Sequence, residues 1–398
     1  MKVLNPHISF TKVFILLFLF TLLNFFLTPS PYSALHSGRT NFSNSDNFTL
    51  NPAYLLLFSI FVGWFTTRRF KIKGVGLYLL ISILISFVAN LSMIGINTYL
   101  FDAFSIYFTA IMAFYDSHRV QTLNTDYSII KKLCVIFCFI GFVLVIIFNG
   151  TYGYFSLSMS RENRGEITLW VILCIPLLLL SLSFVDYLKR ERALKLLTLA
   201  MISCLITVMT GSRAPLMTYF VCVVLLFYGK IKSLKLFIFL IPIIIYVITT
   251  SSWFQNTMLL GNSSLNVDSA DEILNGRFEL WQLYWEALTN NWIFGAGPNI
   301  LPSYYTGAGS EIGILKSVAH YGIIWGVIEL WMIIVSAKKG IAILKSNTIY
   351  SSFTLLMCFV FFSNVILLFE HHARIMNVSD FLFWYSMFYL CQIKLNFH

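Results

Sequence analysis

The stretch RRFKIKGVGLYLLISILISFVANLSMI, residues 68–94, decides the fold class: Arg68, Arg69, Lys71 and Lys73 crowd one end, and nothing from Val75 to Ile94 is charged. A charge-free apolar run of about 18 or more residues reads as a membrane-crossing helix, since only a helix satisfies its own backbone polar groups without water. The same pattern recurs along the chain and predicts spans near 13–28, 53–67, 75–94, 99–115, 133–148, 168–185, 196–210, 214–228, 236–250, 312–335, 351–369 and 378–393. The expected fold class is therefore an all-α polytopic membrane protein of about 12 transmembrane helices.

The loops between these spans alternate in charge. One set carries Lys2, Lys12, Arg68 to Lys73, Arg119, Lys131, Lys132, Lys189 to Lys195, Lys230 to Lys235, Lys338, Lys339, Lys345 and Lys394. The other carries only Arg39, Arg161, Arg164, Arg213, Arg277, Lys316 and Arg374. The positive-inside rule puts the cation-rich set in the cytoplasm, and the number of spans puts both termini there too. The apolar run Val13 to Leu27 is read as an uncleaved first helix, because no small-residue cleavage site follows it.

At 58% hydrophobic and 11% charged residues, the 398-residue chain excludes a soluble globular domain. Its net charge of +10 is split among short inner loops, which points to topology and anionic lipid, with no nucleic-acid partner. All seven cysteines fall within predicted spans, so neither a disulfide framework nor zinc spacing is implied. Three regions follow: spans one to nine over 1–250, a large outer loop over 251–311, and spans ten to twelve over 312–398. The loop runs to about 60 residues, and uncovered loops of that length are usually functional. Within it Arg277 to Asn290 reads as a helix, with Phe278, Trp281, Trp285 and Leu288 on one stripe, and FGAGPN (Phe294 to Asn299) ends it. That stripe suits a helix flat on the membrane surface or one capping the bundle.

The outer cations are almost purely arginine, the side chain whose planar fork holds phosphate in two-point contact. Arg213 closes the tight Thr210-Gly211-Ser212-Arg213 turn between spans seven and eight, a position seldom idle at a membrane boundary. Arg277 opens the loop helix, where a cation opposes the helix dipole unless an external anion offsets it. Arg161 and Arg164 lie among Glu162 and Glu166, and taken alone they read as a self-paired solvated loop. Glu311 stands at the entrance to the tenth span, placed either as a dipole-favouring acid or as a general base for a hydroxyl. His320, within that span, reads first as a hydrogen-bonded core residue. Glu370, His371, His372 and Arg374 form an outer cluster better suited to a sugar contact than to a metal. Asp102 and Glu329 are the main mid-span charges.

In order and context these pieces resemble the O-antigen polymerase and O-antigen ligase superfamily of envelope glycosyltransferases. The similarity rests on Arg161 or Arg164 with Gly165, on Thr210 to Ala214, and on Arg277, Trp281 and Gly295-Ala296-Gly297. Glu311 ahead of Gly322-Ile323-Ile324-Trp325-Gly326 completes it, and the informative part spans roughly 160–330. Where the ligases open the span after the large loop with a histidine, this chain has Glu311, so the resemblance leans to a Wzy-type O-antigen polymerase with a GT-C-like bundle. The resemblance implies a periplasmic site in the inner membrane that joins undecaprenyl-diphosphate-linked oligosaccharide repeat units. Arg213, Arg277 and Arg161 or Arg164 would hold the diphosphate, Glu311 would be the catalytic base, and His371, Arg374 and His320 would be weaker substrate contacts. It also implies a chain-length regulator as a protein partner. The sequence shows no nucleotide-sugar motif and no acidic metal pair, so neither cofactor nor metal is expected. The alternatives are an O-antigen ligase and a transporter or flippase of lipid-linked oligosaccharides, the latter disfavoured by how few charges lie deep in the spans.

Overall fold

The computed structural model describes residues 10–16, 81, 84–86, 88–89, 96–117, 127–140, 178–186, 188–189, 277–297, 313–346, 350–365 and 378–393. Every regular element among them is a helix. Six are named here: α1 (Ile96–Ser117), α2 (Arg277–Asn290), α3 (Gly313–Tyr321), α4 (Ile323–Lys345), α5 (Ser352–Val365) and α6 (Val378–Gln392). Further helical stretches occupy 10–16, 84–86, 127–140 and 178–186.

α1 and α6 match the fourth and twelfth predicted spans to within three residues at each end, and α5 lies inside the eleventh. The tenth differs. In place of one helix over 312–335, the chain forms α3, breaks at Gly322, and continues as α4 as far as Lys345. The second, seventh, eighth and ninth spans lie outside the described residues. No helix among the described residues is both long and apolar enough to cross a membrane. The two longest, α1 and α4, have polar and charged residues in their sequences: Asp102 and Asp116 in one, Glu329, Lys338 and Lys339 in the other.

The core centres on α6, which packs against α1, α4 and α5. Its sequence VSDFLFWYSMFYLCQ is apolar on every side, and a helix of that kind has to be surrounded. Phe381 through Leu390 are all buried. Phe10, from the helical stretch near the N-terminus, enters the same core and packs on Tyr385 in a tilted contact with ring centroids 4.5 Å apart.

Several polar groups in this core are paired across helices, as burial favours. Tyr385 donates to Asp116 of α1 at 2.6 Å, Tyr389 and Thr354 share a hydrogen bond of 2.9 Å, and Ser336 donates to the Met387 carbonyl at 2.9 Å. The Lys339 amine donates to the last carbonyls of the α6 segment, Cys391 at 2.6 Å and Ile393 at 2.9 Å, and burial holds its pKa below the ordinary value. Ser351 caps α5 by accepting from the Thr354 amide at 3.2 Å. On the other flank, Asp186 accepts from Tyr127 at 2.7 Å and pairs with Lys131, tying 178–186 to 127–140.

Candidate functional site

α2 forms with the bounds read from the sequence, Arg277 to Asn290. Its buried anchor is Tyr284, packed on Ala319 of α3, with Leu288 and Leu315 beside them. Trp285, on the aromatic stripe read from the sequence, stands 60% exposed at the edge of the face that runs through Trp281, Tyr284 and Leu288. Trp281 keeps a buried indole N–H that has no hydrogen-bond partner among the described residues.

From the end of α2 the chain turns through Asn291 and reaches Gly295 to Gly297, which docks into the break between α3 and α4. The Ala296 amide donates to the Ala319 carbonyl at 2.8 Å, and the Gly297 amide to the His320 carbonyl at 3.1 Å. In return the Ile323 amide donates to the Trp292 carbonyl at 2.9 Å. The loop thus satisfies two carbonyls at the end of α3 and one amide at the start of α4, groups that a helix terminus otherwise leaves orphaned. Leaving one such group buried and unpaired costs about 1–3 kcal/mol.

The fit depends on two glycines. Gly322 has φ 86° and ψ 175°, a region essentially reserved for glycine. A Cβ there would strike the Ile293 carbonyl, and one at Gly295 (φ 75°) would strike the His320 carbonyl and come within 2.6 Å of the Gly322 nitrogen. The Gly295, Ala296 and Gly297 amides all donate to protein carbonyls. The glycine loop is therefore a docking device, and those three N–H groups are not presented as a phosphate cradle.

A third element reaches the same point. Ser86, within the predicted third span and fully buried, donates its hydroxyl to the Phe294 carbonyl, with the His320 carbonyl also in reach at 3.4 Å. Below the break, the Trp325 indole donates to Glu329 at 2.8 Å, and Ser317 of α3 bonds the same carboxylate. This network pins α3 to α4 across the discontinuity.

Of the residues proposed from the sequence to bind substrate or act as base, His320 is the one whose side chain is described. It lies buried between Tyr284 and Tyr321, with ring centroids 6.0 and 5.9 Å away in edge-to-face contacts. Arg277 opens α2, and only its backbone is described. Glu311 lies two positions ahead of α3 in the sequence, outside the described residues, as do Arg161, Arg164, Arg213, His371 and Arg374. Sequence reasoning passed over Ser86, one serine among several in an apolar run, where no periodic signal sets it apart. It also passed over the Trp325–Glu329 pair, although a donor four residues before a mid-helix carboxylate is a readable signal.

Residues 196–325 match the model of a family described as O-antigen ligase. The match supports the O-antigen polymerase/ligase superfamily. It covers less than half of the chain, yet it includes Arg213, Arg277, the glycine loop, Glu311, His320 and the break at Gly322. Arg161, Arg164, His371 and Arg374 fall outside it. No curated protein and no solved structure matches the chain. An enzyme of glycosyl-transfer type, acting in surface-polysaccharide synthesis, is what the family match supports.

Proposed function

We propose that the protein polymerises undecaprenyl-diphosphate-linked oligosaccharide repeat units on the periplasmic face of the bacterial inner membrane. The observation that carries this reading is the family match over 196–325, which encloses Arg213, Arg277, the docked glycine loop and Glu311 in a single segment. Membrane placement is supported by the alternation of loop charge. It is supported too by the face of α4 opposite the core, where Ile323, Ile324, Val327, Leu330, Trp331 and Ile334 are all exposed. An apolar stripe of that extent is what lipid contact requires and what water disfavours.

In the proposed reaction an acceptor hydroxyl of the incoming unit attacks the anomeric carbon of the growing glycan. The bond from that carbon to the diphosphate oxygen breaks, and undecaprenyl diphosphate departs with the electron pair. Glu311 takes the hydroxyl proton and aims the attack opposite the leaving group, so the anomeric centre inverts. Arg213, Arg277 and Arg161 or Arg164 stabilise the charge developing on the diphosphate, and no metal is required. His320, His371 and Arg374 are secondary sugar contacts, and a separate chain-length regulator sets the product size.

The test is purified protein in liposomes with a lipid-linked repeat unit from its own host, read as a product ladder on a gel. Wild type should give a ladder. Arg213→Ala should lower kcat by about 10²–10³-fold, as loss of a single charge-stabilising donor typically does. Glu311→Gln should abolish the ladder. A ladder of normal intensity from Arg213→Ala would sink the diphosphate clamp. The second reading, an O-antigen ligase, is favoured by the matched family's description. Offering a lipid A-core acceptor separates the two, since a ligase would cap that acceptor once and build no ladder.

A further inference from the structure

We propose that Ser86 is a positioning residue for glycosyl transfer: its hydroxyl holds the 292–297 loop in the α3–α4 break and so fixes the arginine-bearing helix α2 against α3. The inference rests on the glycosyl-transfer reading and adds a residue that neither the family match, which begins at residue 196, nor the charge pattern assigns.

Ser86 lies 208 residues from Phe294 in sequence and 234 from His320, yet its hydroxyl reaches both carbonyls. Those carbonyls stand on opposite sides of the interlock, one on the docked loop and one on the last turn of α3. The His320 carbonyl also accepts from the Gly297 amide, so Ser86 closes a small hydrogen-bonded cluster that joins three elements. What the cluster holds in register bears on the chemistry. α2 starts at Arg277, the candidate diphosphate ligand, and α3 starts two residues after Glu311, the candidate base. Both helices end at the interlock, so a slip there shifts the helix that opens at Arg277 relative to the one that follows Glu311 in the sequence. Transfer depends steeply on such alignment, and a misaligned site also lets water compete for the anomeric carbon.

The experiment uses the full chain in liposomes with the lipid-linked repeat unit, comparing wild type, Ser86→Ala and Ser86→Thr. Ser336→Ala is the control, since Ser336 also is a buried serine donating to a distant carbonyl, that of Met387, but within the core. Ser86→Ala should lower kcat roughly tenfold with KM little changed, the signature of lost alignment. The ratio of saccharide released to water over saccharide transferred should rise severalfold, and Ser86→Thr, which keeps the hydroxyl, should restore both. Ser336→Ala should lower the melting temperature without moving that ratio. Hydrogen exchange at the Ala296, Gly297 and Ile323 amides supplies a readout independent of turnover, and it should quicken in Ser86→Ala while α6 amides stay unchanged.

Unchanged exchange at those amides would overturn the staple itself. Quickened exchange with normal kcat and hydrolysis ratio would overturn its catalytic consequence. Wild-type liposomes that neither transfer nor hydrolyse a competent substrate would overturn the glycosyl-transfer reading, and the exchange result would then still judge the staple alone.

Discussion

The bundle around α6 and the corner where α2 meets α3 are both helical and aromatic-rich, but they satisfy their polar groups by opposite means. In the bundle, side chains do the pairing: Tyr385 with Asp116, Tyr389 with Thr354, Lys339 with the end of α6. At the corner, backbone pairs chiefly with backbone, joined by the Ser86 hydroxyl, and glycines make room for it. The first arrangement specifies packing by residue identity. The second specifies shape by conformation, and it leaves two tryptophans turned outward. Trp285 and Trp292 are 60% and 58% exposed there, whereas Trp325 and Trp384 in the bundle are sealed. A rigid corner with free side chains is the arrangement expected where a chain meets a ligand or an interface.

The sharpest way to break this contrast is at Gly322. A Gly322→Ala variant places a Cβ against the Ile293 carbonyl and forces a non-glycine residue into the ε region. Strain of ~1–3 kcal/mol adds to the loss of the three loop-to-break hydrogen bonds, so the expected destabilisation is about 4 kcal/mol or more. Thermal unfolding of the detergent-solubilised protein should show it, and glycosyl transfer should vanish with it. A near-normal melting temperature would mean that the corner is held by side chains after all.

How much of this was legible in the sequence follows the same division. The bundle's helices were readable because long apolar runs announce themselves, and α1 and α6 fall within a few residues of their expected ends. α2 was readable because one aromatic stripe runs along it and FGAGPN follows it. The break at Gly322 was hidden, because hydropathy sums over Ile314 to Val335 without noticing one glycine whose φ is positive. Gly295-Ala296-Gly297 was visible as a stop signal, but its docking partner lies more than twenty residues on, beyond any local pattern. Ser86 was farther still. Distant backbone-to-backbone contacts leave only the glycines they require as their trace, so the sequence marks the positions and withholds the pairing.

Side-chain pairing in the bundle should cost less to disturb than the corner's backbone, but the loss should still be large. Trp325→Phe removes the donor to Glu329 and shrinks a ring that sits 5.0 Å from Tyr321 and 5.9 Å from Trp384, centroid to centroid. Glu329 then keeps its bond to Ser317 and loses the stronger-placed partner in a site with no water access. The expected destabilisation is about 2–3 kcal/mol, combining a small cavity with a buried carboxyl short of one partner. Thermal unfolding measures it. Adding Glu329→Leu to Trp325→Phe should recover part of the loss, because removing both members of a buried polar pair costs less than orphaning one.

The same substitution at the corner should behave differently, and that gives the smallest expected effect. Trp281 is half-buried on the α2 face that runs through Tyr284 and Leu288, and its indole N–H has no partner among the described residues. Trp281→Phe therefore breaks no hydrogen bond. It removes a buried donor that was a net cost and loses some ring contact, two terms of opposite sign and similar size. Stability should stay within about 0.5 kcal/mol of wild type, where Trp325→Phe loses several times as much. A drop of about 2 kcal/mol at Trp281 would mean that its N–H is paired in the folded protein, and that the corner pairs its side chains as the bundle does. Unchanged stability with weakened binding of the lipid-linked saccharide would sharpen the contrast further, since the donor left idle by the fold would then have its acceptor on the substrate.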